Sequence, residues 1–172
     1  MELHLSKSIL RPWKLSDAQS LAKHANNKKI ADNLRDAFPH PYPLEKAELF
    51  INYINTSSKN IALAICVDDI AVGGIGIHLM DDVYRCSAEL GYWLGEDYWN
   101  RGIVTEAVKE LVNFTFENYS INRIYAGTFE YNKTSMRVLE KCGFSHEAIH
   151  RKAVIKNGVI IDEHIWAIIK DK

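Results

Sequence analysis

The 172 residues contain no apolar run of membrane-spanning length, and Met1 to Lys14 lacks the hydrophobic centre of a secretory signal. Neither sign of charge is in excess. A formal net charge of −1 excludes a general nucleic-acid binder, which needs a basic surface for its phosphates. Cysteine is scarce: Cys66, Cys86 and Cys142 are an odd set with no metal-like clustering, and all three read as buried, reduced thiols. No Gly-Lys-Ser/Thr occurs after a glycine-rich loop, so a nucleoside-triphosphate loop with its metal-binding hydroxyl is excluded. Gly73-Gly-Ile-Gly76 lacks dinucleotide spacing and falls inside a strand. His146 and His150 stand at a ligand-like interval, but on a strand they lie roughly 13 Å apart, too far to share a metal ion. Internal repeats, low-complexity tracts and linkers are also missing. These absences point to a cytoplasmic protein without a resident metal.

What is present is an ordinary globular composition, 47% hydrophobic and 25% charged, enough for one domain over residues 1–172 with a single core. Leu3 to Leu10 reads as a strand, and Ser16 with Asp17 as the cap of a helix through about Asn26. A helical turn follows over Lys29 to Leu34. Phe38-Pro-His-Pro-Tyr-Pro43 then makes a stiff loop, and a helix runs over about Leu44 to Thr56. From Ile61 the period changes to two: Ile61 to Val67, Ile70 to Met80 and Cys86 to Leu94 read as a meander. After a helix from Ile103 to about Phe116 come a strand from Arg123 to Phe129 and a helix from Ser135 to Cys142. The chain closes on a hairpin around Lys156-Asn-Gly158. The fold class is α+β: a single mixed, largely antiparallel twisted sheet of about seven strands with helices on both faces. The step from Glu89 through Arg123 makes its one parallel pair.

The chain is organised around Glu96-Asp-Tyr-Trp-Asn-Arg-Gly-Ile-Val-Thr-Glu-Ala107, which joins a strand to an amphipathic helix. A helix start carries unpaired N–H groups and the positive end of the macrodipole, and Gly102 lets an anion approach them. A phosphate seat with no magnesium ligand suits a carried cofactor, and coenzyme A is one.

Glu89-Leu-Gly-Tyr-Trp-Leu94 together with Tyr98-Trp-Asn-Arg-Gly-Ile-Val-Thr-Glu-Ala107 resembles the acetyl-CoA-binding motif of the GNAT acetyltransferase superfamily. Asn132-Lys-Thr-Ser-Met-Arg-Val-Leu-Glu-Lys-Cys-Gly-Phe144, Leu10-Arg-Pro-Trp13 and Phe38-Pro-His-Pro-Tyr42 are similar to its branch of ribosomal-protein N-terminal acetyltransferases. The resemblance implies that acetyl-CoA, as cosubstrate, enters between two splayed strands. Its pantetheine arm would lie against Tyr92, Trp93, Leu94 and Asn132, and its pyrophosphate against Trp99, Asn100, Arg101, Gly102, Ile103, Val104 and Thr105. Ser135 would bind alongside and act as the acid that protonates the departing sulfur. It further implies a monomer or homodimer taking an amine acceptor, either a small molecule or a protein N-terminus, with no nucleic acid or membrane partner.

Glu89 is the candidate base, because a carboxylate desolvated beside Trp93 titrates nearer neutrality. The plainer alternatives are a solvated residue or an ion pair with Arg85 or Arg123. Gly91 is equally a site for main-chain contact with the thioester carbonyl or a packing gap; the plainer alternative for Asn132 or Thr134 is a helix cap, which is compatible with Ser135 pointing inward. Trp13, Tyr42 and Trp93 shape either an acceptor pocket or the core. The sequence departs from the resembled branch at Asn100 (usually glycine), Val104 (usually small) and Val154 (where the ribosomal-protein enzymes carry a glutamate base). The reading is direct acetyl transfer to a primary amine, a peptide N-terminus before a polyamine or antibiotic amine. The alternative is a catalytically silent acyl-CoA-binding or sensor domain.

Overall fold

The computed structural model describes residues 1–56 and 60–170. The alternating segments become strands β1 (Leu3–His4), β2 (Ile9–Pro12), β3 (Asn60–Val67), β4 (Ile70–Leu79), β5 (Ser87–Leu94), β6 (Arg123–Phe129), β7 (Ser145–Lys156) and β8 (Val159–Ile169). They form one sheet in the order β1-β2-β3-β4-β5-β6-β8-β7, antiparallel except for β5 with β6. Helices α1 (Ala18–Ala25), α2 (Lys28–Ala31), α3 (Leu44–Thr56), α4 (Ile103–Asn118) and α5 (Lys133–Lys141) lie between them.

The strand count is eight rather than the expected seven. Ser6-Lys7-Ser8 turns the first stretch back on itself: Leu5 N–H donates to Ser8 O at 2.9 Å, and Leu3 pairs with Leu10. The expected cap at Asp17 is also corrected. The Asp17 carboxylate makes no bond to α1. It accepts from Arg11 Nη1 and Nη2 at 2.7 and 2.9 Å and from Lys14 N–H at 2.8 Å, and both side chains of the pair are buried. Cys86 is exposed, against expectation, because it stands just before β5, whereas Cys66 and Cys142 are buried.

Each face of the sheet carries its own core. Ile103, Ala107, Val108 and Leu111 of α4 pack with Leu63, Ile75, Leu90 and Ile124 on one face. Burying a side chain such as Leu111 contributes about 1.5–3 kcal/mol. On the other face Trp13, Leu21, Tyr42, Ala47 and Ile51 pack under α1 and α3, with Phe38 and Trp93 at the margin. The glycines of β4 make room for this layer: a β-carbon on Gly74 would stand 2.7 Å from Trp93 Nε1.

The arrangement that creates a site is the divergence of β5 from β6. They pair only at Ser87 with Arg123, Ala88 with Ile124 and Glu89 with Tyr125. Beyond that point β5 stays with β4 as far as Leu94, opposite Gly73, and β6 stays with β8 as far as Phe129, opposite Glu163. The gap between them opens toward the start of α4.

Candidate active site

The loop leading into α4 owes its shape to two residues in left-handed conformation, Asn100 at φ 60° and Gly102 at φ 75°. Asparagine tolerates that region better than most residues, so the departure from glycine at position 100 keeps the backbone path. Gly102 is the N-cap of α4 and makes no side-chain cap bond. Its requirement is conformational, and a β-carbon there would meet Lys7 Nζ at 2.8 Å. Lys7 reaches in from the β1–β2 turn and donates to Arg101 O at 3.0 Å. The Trp99 indole N–H donates to Leu94 O at 2.7 Å, tying the loop to the end of β5. The Arg101 guanidinium lies 5.2 Å from the centre of the Tyr98 ring.

A cavity of about 340 Å³ occupies the gap between the splayed strands. Tyr92, Trp93, Leu94, Trp99, Val104, Asn132 and Ser135, all expected at the cofactor, line it. Asn100, Arg101, Gly102, Ile103 and Thr105 form the adjoining loop and first turn. Ile103 is buried in the core, so its side chain does not face the cavity. The opposite wall, missed in the sequence, comes from α2 and the turn after it: Lys29, Ile30, Asn33 and Leu34. Four helical residues carry too little periodicity to announce such a role. Of the aromatic trio, Trp93 lines the cavity, while Trp13 and Tyr42 are buried in the core beneath it.

Asn132 caps α5, its Oδ1 accepting from Ser135 N–H at 3.2 Å, so the capping alternative holds and the same residue faces the cavity. The Ser135 hydroxyl shares a 2.7 Å hydrogen bond with that of Tyr92. Burial pushes the Tyr92 phenol well above its usual range, and the bond to Ser135 only partly offsets this, so Tyr92 keeps its proton. This partnership spans 43 residues and has no sequence signature.

Glu89 lies on the same sheet face as Trp93, and its carboxylate is ion-paired with Arg35 rather than Arg85 or Arg123. Arg35 is three-quarters exposed, so the pair is a surface contact of modest strength that can be exchanged. Gly91, also on that face, has open space where a side chain would be. Val154 pairs with Ile161 toward the tip of the β7–β8 hairpin. A bulge between His146 and Ala148 sends the two histidines to different partners: His146 contacts His164 at 3.0 Å and His150 faces Glu163. Among the described residues no group of three or more His, Cys, Asp or Glu could hold a metal. No described helix is long and apolar enough to cross a membrane.

The sequence profile described as "acetyltransferase (GNAT) domain" matches residues 7–145. The chain belongs to the GNAT acetyltransferase family. The GNAT chain is 39% identical over 102 residues to the probable N-acetyltransferase YjcK of Bacillus subtilis (strain 168), an alignment covering 59% of this chain and 56% of that one. It thus spans little more than half the length of that relative. It is also 28% identical over 181 residues to the putative ribosomal N-acetyltransferase YdaF of the same organism, covering 97% and 92% of the two chains. Among solved structures it is similar to the microcin C7 self-immunity acetyltransferase MccE in complex with acetyl-CoA and AMP. That match has a TM-score of 0.85 and 26% identity, over 96% of this chain and 94% of the other. In this chain the β5–β6 gap, the loop before α4 and the start of α5 border one cavity.

Proposed function

We propose that this protein transfers the acetyl group of acetyl-CoA directly to a primary amine, with a peptide or protein N-terminus preferred to a polyamine or antibiotic amine. The observation that carries the proposal is the Tyr92–Ser135 hydrogen bond in the wall of a cavity open between β5 and β6. Acetyl transfer to nitrogen needs a proton for the departing sulfur, a polarised carbonyl and a neutral amine.

The residues fit the cosubstrate. Residues 90–94 have no register partner on β6, which leaves a main-chain edge for the pantetheine amides, in the manner of an added strand. Asn132 borders the same edge. The left-handed loop at Asn100 and Gly102 presents the first N–H groups of α4 to a pyrophosphate. The Tyr92 and Ser135 hydroxyls share one hydrogen bond in which either can donate. In the arrangement with Tyr92 as donor, the Ser135 proton is free for the departing sulfur and Tyr92, still protonated, steadies the oxygen left behind. Glu89, released from Arg35, takes the amine proton through water. The cavity wall carries no cysteine among the described residues, and burial pushes the Cys66 thiol up to about 11, which supports direct transfer over an acyl-cysteine route.

The choice of acceptor follows from basicity. An α-amine with a reference pKa of about 7.7–8.0 is partly neutral near pH 7, whereas a lysine-like amine at about 10.4 is nearly all charged. With Val154 in place of a glutamate and Glu89 engaged by Arg35, the α-amine asks less of the base. A cytoplasmic location goes with this reading. The second reading, a silent acyl-CoA-binding domain, draws on the same Arg35 contact, which would then be permanent.

Mass spectrometry tests the proposal. A peptide with a free N-terminus gains an acetyl group when protein and acetyl-CoA are both present, and the protein incubated with acetyl-CoA alone gains none. A peptide left unmodified at millimolar acetyl-CoA would leave the silent-domain reading in its place.

A further inference from the structure

Beside the cavity, against Gly127 of its wall, stands a carboxylate distinct from Glu89 and from the donor site. Gly127 of β6 lines the cavity, and the space its side chain would take is filled by Glu163 of β8. A β-carbon on Gly127 would stand 2.5 Å from Glu163 Oε1 and 3.1 Å from its Cδ. The other oxygen, Oε2, lies 3.5 Å from His150 Nδ1 of β7. The Glu163 side chain is 25% exposed.

Its partner sets it apart. Glu89 is paired with Arg35, and Glu96 with Lys29, the lysine of the α2 wall, so both are matched by permanent cations. Glu163 faces an imidazole, which carries no charge in its neutral form. The Tyr125 phenol lies near both carboxylates: burial first, then Glu89, push its pKa up, Arg35 and Arg123 pull it down, and Glu163 makes the smallest contribution, upward. A partly buried carboxylate without a fixed counter-charge, one residue behind the cavity wall at Gly127, gains from a cation delivered by a molecule bound there.

We propose that Glu163, seated on Gly127, reads a second positive charge on the acceptor, so that the site favours amines with a further cationic group close to the reacting nitrogen. A basic side chain just after a peptide N-terminus has this chemistry, and so does the second ammonium of a diamine. The inference rests on the acetyl-transfer reading and names the acceptor class within it.

The test compares matched acceptors on the full-length protein at saturating acetyl-CoA. One pair is Ser-Lys and Ser-Ala peptides with amidated C-termini; the other is a diamine and a monoamine of equal chain length. The cationic member of at least one pair has the lower KM, by about fivefold, with kcat unchanged. The pair with the larger ratio identifies the source of the charge. Glu163→Gln brings that ratio close to one and leaves acetyl-CoA affinity and the neutral acceptor's kinetics unchanged. Gly127→Ala, which displaces the carboxylate but keeps its charge, narrows the same ratio. Calorimetry of the same ligands into CoA-bound protein reads the preference without turnover. Charge-dependent binding without acetylation would therefore overturn the transferase reading and support this one. Equal KM and affinity within both pairs, or a ratio that survives Glu163→Gln, would overturn the assignment of Glu163.

Discussion

The hydroxyls of Tyr92 and Ser135 lie 2.7 Å apart and join the diverging end of β5 to the first turn of α5. The donor strand and the proposed acid are thereby held as one unit. Ser135→Ala is expected to lower kcat by roughly 100-fold with little change in acetyl-CoA affinity. Tyr92→Phe should cost less, about tenfold, and the double variant should resemble Ser135→Ala, because the two residues act in series. Additive losses in that cycle would mean that Tyr92 works independently of Ser135.

Gly102 offers a test of the cofactor loop. At φ 75° any β-carbon is strained, by about 1–2 kcal/mol. Gly102→Val should weaken acetyl-CoA binding several-fold by moving the first N–H groups of α4, and should lower the melting temperature as well. Calorimetry on the folded variant decides the matter. Unchanged affinity would remove the pyrophosphate from this loop.

The buried Arg11–Asp17 pair sets an acid limit on stability. Burial alone would raise the Asp17 pKa, but the hydrogen bonds from Arg11 and Lys14 outweigh it and hold the carboxyl below its ordinary value. The unfolded chain therefore binds this proton more readily than the folded one. The contribution is complete above the unfolded value of about 3.9 and is lost as pH falls through the depressed folded value. Asp17→Asn should cost about 3 kcal/mol at pH 7 in urea unfolding, and less at pH 3. Wild-type and variant curves displaced equally at both pH values would show that the pair adds nothing to acid sensitivity.

Glu89→Gln separates the proposed base from a structural role. The substitution keeps side-chain size, and the Arg35 contact is largely at the surface. The acidic limb of the pH–rate profile should disappear, leaving activity that rises with deprotonation of the amine itself. An acidic limb that stays in place would confine Glu89 to holding Arg35.

Much of this arrangement can be read along the chain wherever its cause is local. Helix α3 begins and ends where the Leu44–Thr56 periodicity places it, and β6 matches Arg123 to Phe129. Asn157 at φ 50° and Gly158 at φ 76° make the closing turn that an Asn-Gly pair favours. What escapes the sequence depends on distant partners. Asp17 has the right neighbours for a cap, yet Arg11 on β2 captures it. Arg35 reaches Glu89 across 54 residues, and Tyr92 reaches Ser135 across 43. Ser6-Lys7-Ser8 holds no glycine or proline to mark the first hairpin. The bulge after His146 reassigns two side chains at once, and no residue type announces it.

Initial rates against an amine panel at pH 7 decide whether the acceptor is an α-amine. The panel holds a peptide with a free N-terminus, an N-blocked lysine peptide, a polyamine and an aminoglycoside, each with acetyl-CoA. The free N-terminus should show the highest kcat/KM, with the difference shrinking as pH approaches 10. Tight acetyl-CoA binding with no transfer to any amine, or a polyamine or aminoglycoside preferred at pH 7, would contradict acetyl transfer to an α-amine.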